Sequence, residues 1–318
     1  MKTSIKSMRV LYRNSIGHRQ EPFPYEGYVQ LRDQDANDLI ARRLLDNDPF
    51  LVGKFGTVEL TCLLNHQMIH GKKHPLDAIR YIRGTQRFLW WWDILGPAHL
   101  QAGIFPPRPD LMERFCEIMF GTVGALDVLG SYVISERKIS QIPSSCVRIN
   151  LDGFYAPFLY QNPWTAHLAG KKVLVVHPFQ ESIEQQYRKR GQLFADPLVL
   201  PSFDLRTIKA VQSIEGEDPG FADWVAAYQH MADQMDQVDY DIAILGCGAY
   251  GLPLAAHAKR RGKKAIHLAG WTQILFGIYG ERWAAHPVVS KFINDAWVRP
   301  SSEETPKQAA KVEGGCYW

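Results

Sequence analysis

The segment GCGAYG sets Gly246, Gly248 and Gly251 in a G-x-G-x-x-G spacing, with Tyr250 inside the turn. The apolar run YDIAIL precedes it and LPLAAHAKRRG follows, so strand, tight turn and helix are expected in that order. In that setting the glycines let backbone amides approach a phosphate near the positive end of the helix. The other use of such glycines is close strand-to-helix packing with no ligand. A dinucleotide site also calls for Asp or Glu at the end of the next strand, to bind a ribose. Here KKAIHLAG offers His267 instead, and the NAD reading loses ground.

A second turn of the same kind lies near the start of the chain. GKFGTVEL places Lys54, Gly56, Thr57 and Glu59 between a short apolar run and a helix. Lys54 has the charge to meet a phosphate. Glu59, on the first helical turn, is a candidate general base or metal ligand, although a carboxylate there also simply favours the helix dipole. Further polar groups fall at other strand ends. HPFQES supplies His177 for acid–base work and Ser182 for a ligand contact; FDLRTIKAVQS supplies Lys209 and Gln212 from a loop; HLAGWTQILFGIYGERW adds His267, Gln273, Arg282 and Trp283. Arg282 suits a diphosphate, and Trp283 a base or sugar face. No G-x-S-x-G, Walker, HExxH or kinase signature occurs in the sequence.

The elements that must hold these residues read as alternating strands and helices. A helix capped by Asp35 or Asn37, with Leu39, Ile40, Leu44 and Leu45 at helical spacing, leads to the strand FLVG and the helix VELTCLLNHQMIHG. Residues 75–130 read as mostly helical, followed by the strand candidates SYVIS and CVRINL. KKVLVVHPF, a strand opening PLVLPSFDLRTIKAVQSI ahead of its polar loop, YDIAIL and KKAIHLAG are further strands, separated by amphipathic helices. This alternation predicts an α/β protein with a Rossmann-like, mostly parallel sheet flanked by helices and a helical segment in its N-terminal half. Ligands of such sheets bind beyond the carboxyl ends of the strands, where the polar groups above fall. Residues 1–34 form an extension, 35–298 the Rossmann-type domain, and 299–318 a tail whose Pro/Ser/Glu-rich part predicts a mobile linker and whose aromatic end is expected to dock back.

Composition narrows the class. The chain has 318 residues, 46% hydrophobic and 22% charged, enough apolar material for one large α/β domain or two smaller ones. A net charge of +3 with interspersed signs argues against a nucleic-acid partner. Five scattered cysteines without CxxC spacing argue against a disulfide framework and for a reducing cytoplasm. No run of eighteen apolar residues and no signal-like start are present. The aromatic run RFLWWWDIL is expected to be partly buried packing, with peripheral contact at the inner membrane as the other use.

The blocks FLVGKFGTVEL, VLVVHPFQESIEQQYRKRGQLF, LPSFDLRTIKAVQS, LGCGAYGLPLAAHAKRRGKKAIHLAG, TQILFGIYGERW and EGGCYW resemble the bacterial glycosyltransferases of the GT-D fold type found in surface-polysaccharide biosynthesis. The resemblance implies transfer of a sugar from a nucleotide-diphosphate donor to a glycan or lipid-linked acceptor. Its better-known members carry an Asp-x-Glu pair that helps bind Mn or Mg. Here Glu59 matches the Glu, Thr57 stands at the Asp position and Lys54 at a preceding Arg, so a metal is either held by Glu59 with other ligands or absent. The remaining alternatives are a non-catalytic nucleotide-sugar-binding or scaffold protein of a glycan-assembly complex, and an NAD(P)-dependent oxidoreductase.

Overall fold

The computed structural model describes residues 2–16, 28–86, 89–216, 218–306 and 317–318. Helix α1 (Lys2–Ile16) and helix α2 (Asp33–Leu45) precede strand β1 (Phe50–Gly53). Then come α3 (Thr57–His70), α4 (Asp77–Arg83), α5 (Leu95–Ala102) and α6 (Pro109–Val123). Strands β2 (Val128–Gly130) and β3 (Val147–Ile149) follow, with α7 (Asp152–Tyr155) after them. The second half runs β4 (Lys172–His177), α8 (Gln180–Arg188), β5 (Asp204–Lys209), α9 (Trp224–Asp236), β6 (Ile242–Leu245), α10 (Gly251–Arg260) and β7 (Lys264–Ile266). Helices α11 (Trp271–Leu275) and α12 (Glu281–Ala284) close it.

All seven strands join one parallel sheet in the order β3-β2-β1-β7-β6-β4-β5. The expected α/β class and parallel, Rossmann-like sheet are present. Strands buried on both faces need side chains that are apolar at every position, which is why FLVG and IAIL contain no polar residue. Alternation then sends neighbours to opposite layers. In β4, Val173 and Val175 join Phe50, Val52, Ile242 and Ile244 in the layer containing α2 and α8. Leu174 and Val176 join Leu51, Ala243 and Leu245 in the layer containing α3, α6, α9 and α10. Each fully buried Val, Leu, Ile or Phe among them contributes roughly 1.5–3 kcal/mol relative to exposure.

Three local expectations are corrected. Asn37 does not cap α2: the helix starts at Asp33, and Asn37 is buried inside it, accepting the Trp164 amide hydrogen at 2.8 Å. The strand expected at SYVIS lies earlier, at Val128–Gly130, and residues 134–138 form a 3-10 turn. Its register, Val52 beside Val128 and Leu129 beside Arg148, pairs it with β1 and β3. The Pro/Ser/Glu-rich tail is not a free linker at its start, because Glu304 is buried against α8. Residues 307–316 of that segment lie outside the described residues, as do Arg87 and Phe88 of the aromatic run. Trp91 in that run is buried, and Trp90 and Trp92 lie against each other with ring centroids 4.4 Å apart, as expected for packing. Among the described residues, no helix is long and apolar enough to cross a membrane.

Candidate active site

The topology dictates where a ligand would sit. From β4 the chain moves outward to β5, whereas from β6 it moves back to β7, so neighbouring β4 and β6 send their connections in opposite directions. Such a reversal opens a crevice beyond the carboxyl ends of the strands. A cavity of about 580 Å³ lies there, and residues following every one of the seven strands line it. Lys54, Gly56, Thr57 and Glu59 come from the β1 turn, Tyr132 follows β2, and Asp152 and Tyr155 follow β3. His177 ends β4, Gln212 and Ser213 follow β5, Gly246 to Tyr250 follow β6, and His267, Trp271 and Gln273 follow β7. Arg282 and Trp283 of α12, with Tyr317 and Trp318 at the chain end, complete the wall.

Glu59 sits on the first turn of α3 with its carboxyl folded back over Gly56, where any Cβ would overlap it. A side chain at 56 would push that carboxyl away from its place. Burial raises the Glu59 carboxyl above its ordinary range, while the Lys54 ammonium and its own backbone amide pull it down. A carboxylate held this way is more basic than one in water and can accept a proton from a hydroxyl. Lys54 stands over the Tyr132 ring at 5.4 Å, and the Tyr132 hydroxyl donates to the Phe55 carbonyl at 2.9 Å.

Both histidines line the cavity. His177 is buried, and its Nδ1 accepts the Phe179 amide hydrogen at 2.9 Å. Burial pushes its pKa down to about 3, so the ring is neutral and carries its proton on Nε2. It is therefore built to donate a hydrogen bond, and the general-base role expected for it does not fit. His267 is likewise held near 3 by burial first and by Lys54 second. Neither of its ring nitrogens makes a hydrogen bond of normal geometry among the described residues, although the Lys54 backbone is close enough to raise its basicity slightly. Trp283 Nε1 and Trp318 Nε1 are also buried without a partner there. Orphaned buried donors around one cavity are what a polar ligand would satisfy.

The glycine turn divides its labour. A Cβ on Gly246 would lie 2.5 Å from His177 Cδ2 and from Thr272 Oγ1, and one on Gly251 would lie 2.5 Å from His267 Cδ2. Both are therefore packing glycines that admit the two imidazoles, and Gly251 does not line the cavity. Gly248 differs, with φ of +56° and open space around it. It permits the turn that presents residues 247–250 to the cavity. Tyr250 lines the wall, but its hydroxyl is engaged with Ser213 Oγ at 2.9 Å and its ring stacks on Trp224.

Two more expected contacts fall elsewhere. Ser182 does not line the cavity; its amide and hydroxyl both donate to Glu304. Lys209 is exposed and outside the lining, because residues 204–209, expected as a loop, instead form edge strand β5 alongside β4. Gln273 lines the cavity, yet its side-chain amide is held by the Ile278 and Tyr317 carbonyls, each at 3.3 Å. Gln212, Arg282 and Thr57 are where a ligand could reach them. Among the described residues Glu59 joins no group of three ligating side chains, and the charge that acts on its carboxyl is the Lys54 ammonium.

No family model matches the chain, and no curated protein or solved structure matches it. The site must be read from its own chemistry. Sequence reasoning missed Tyr132, Asp152, Tyr155, Trp271, Tyr317 and Trp318 as lining residues. Among these, Tyr317 and Trp318 had a sequence signal, the apolar-aromatic end of the tail; the others lie just after strands β2, β3 and β7, and their convergence depends on strand order.

Proposed function

We propose that the protein is a glycosyltransferase that moves a sugar from a nucleotide-diphosphate donor to a hydroxyl of a glycan or lipid-linked acceptor, as part of bacterial surface-polysaccharide assembly in the cytoplasm. The observation that carries this reading is Glu59, a carboxyl made basic by burial, facing a cavity walled by aromatic rings and edged by Lys54 and Arg282. Aromatic faces suit a nucleobase and a pyranose, and cations suit a diphosphate. The volume lies within the range of small-molecule sites.

In this mechanism Glu59 takes the proton of the acceptor hydroxyl, and that oxygen bonds to the anomeric carbon. The bond from that carbon to the diphosphate oxygen breaks, and its electron pair leaves on the diphosphate. Lys54, Arg282 and the amides around Gly248 neutralise the charge that develops there. His177 Nε2–H and the Trp283 and Trp318 indole N–H groups serve as fixed donors to donor or acceptor oxygens.

The test pairs calorimetric titration of UDP-, GDP-, CMP- and dTDP-sugars, with NAD as control, against turnover in Glu59→Gln. One nucleotide sugar is expected to bind, and the variant should retain that binding while losing 10²- to 10⁴-fold in rate, roughly the weight of a general base. Unchanged turnover would remove Glu59 from the mechanism. Absence of any nucleotide-sugar binding would replace the transferase reading with a scaffold role.

A further inference from the structure

A second cluster of ligating side chains lies away from the cavity. His66 and His70 are one turn apart on α3, a spacing that puts both rings on the same face of the helix. Their ring centroids are 4.4 Å apart. Glu113 of α6 faces them: its Oε2 is 3.1 Å from His66 Nε2 and 2.8 Å from His70 Nε2. The other carboxylate oxygen is fixed by the Trp91 indole, whose Nε1 donates to Oε1 at 2.7 Å. The three ligating atoms lie within 4.8 Å of one another.

We propose that His66, His70 and Glu113 form a binding site for a first-row transition-metal dication, with Zn²⁺ the best match. Two imidazole nitrogens and one carboxylate oxygen are a donor set that suits zinc and leaves one position for water. Bonds of about 2.0–2.1 Å at tetrahedral angles place ligand atoms about 3.3 Å apart, so Glu113 Oε2 needs to move about 0.2 to 0.5 Å further from the two imidazole nitrogens. Trp91 supplies what a metal site needs behind its ligands, a donor that aims the carboxylate. Glu117, one turn along α6, adds negative charge beside His66. Solvent reaches the site past His70, whose side chain is 55% exposed, whereas the His66 ring packs edge-on against Phe120 at 5.2 Å.

The site is separate from the transfer chemistry. His66 is seven residues beyond Glu59 on α3, about 10 Å along the helix at 1.5 Å per residue. A metal there would tie the far half of α3 to α6 and to the Trp91 turn, holding the helix whose first turn presents Glu59.

The experiment is equilibrium dialysis of the untagged full chain against Zn²⁺ with metal analysis, and Co²⁺ titration read by its visible absorption. One metal per chain is expected, with the intense bands of four-coordinate Co²⁺. His70→Gln, at an exposed position, and Glu113→Gln should each weaken binding at least 100-fold with an unchanged far-UV circular dichroism spectrum. Trp91→Phe leaves every ligand in place and should weaken binding about tenfold. Failure of the wild-type chain to retain Zn²⁺ at micromolar free metal, or retention unchanged in His70→Gln, overturns the site. Neither result bears on nucleotide-sugar binding, which is measured separately.

Discussion

The side chain with the sharpest physical signature outside the cavity is Glu136. It is fully buried behind the Tyr132 wall, accepting from Ser131 Oγ at 2.5 Å and from the Tyr132 and Val133 amides at 3.3 Å each. Burial nevertheless wins over these bonds and lifts its carboxyl from 4.5 to about 7. A folded-state value above the unfolded one means that the native state holds the proton more tightly. The stability this contributes is complete below about pH 4.5 and is lost as pH rises to about 7. The shift corresponds to about 3 kcal/mol at most. Glu136→Gln keeps the shape and removes the titration, so the variant should gain about 2 kcal/mol on wild type between pH 5 and pH 8 in urea unfolding. An equal difference at both pH values would show that Glu136 does not titrate in that window. Sequence reasoning could not single out this residue, because a Glu in a polar turn reads as exposed until strands β2 and β3 enclose it. Glu59 was legible for the opposite reason: a carboxylate three residues past a glycine at a strand-to-helix turn has its position fixed by local geometry alone.

Elements were legible where the pattern is local and long. Helices α3, α6, α9 and α10 and strands β4, β6 and β7 lie where periodicity put them, since each buries a whole face. Strand β2 has three residues, too few to show a period, and it was absorbed into the helical block before it. Apart from the aromatic chain end, contacts between distant segments left no signal, and the start of α8 is the clearest case. The amides of Glu181 and Ser182 need acceptors, as at any helix start. Glu304, more than 120 residues later, provides them: its Oε1 accepts at 2.8 and 3.2 Å, while Oε2 accepts from the Ser182 and Ser301 hydroxyls. A ligand role for Ser182 was plausible from sequence because a helix N-terminus after a strand invites an anion; here the chain's own carboxylate takes that place. Glu304→Ala leaves buried donors without an acceptor and should cost about 2 kcal/mol. Glu304→Gln, which keeps one acceptor oxygen, should cost about half as much. Urea midpoints measured side by side decide this, and an alanine variant as stable as wild type would mean that water replaces the carboxylate without loss.

Across the whole molecule, the last two residues finish a cavity that the first strand begins. The Tyr317 ring lies over Gly270, where a Cβ would come within 2.7 Å of it. The Trp318 carbonyl accepts from the Glu281 amide at 3.2 Å and from Arg299 at 3.1 Å, and Arg299 also pairs with Glu281 at 2.8 Å. The seat for this chain end is Gly280, where a Cβ would lie 2.5 Å from the Trp318 amide nitrogen and 2.7 Å from the Tyr317 carbonyl oxygen. Its φ of −116° is open to any residue, so Gly280→Ala brings no backbone strain and acts only by unseating the tail. Deleting residues 317–318 removes the same wall by another route. Both changes should leave the sheet intact, since neither residue belongs to it, and both should weaken nucleotide-sugar binding about tenfold, or about 1.4 kcal/mol, the scale of one lost aromatic contact. Calorimetry of the two variants beside wild type reads the effect. If deletion weakens binding and Gly280→Ala does not, the aromatic residues matter without the Gly280 seat. If neither does, the tail covers a surface that the donor never touches.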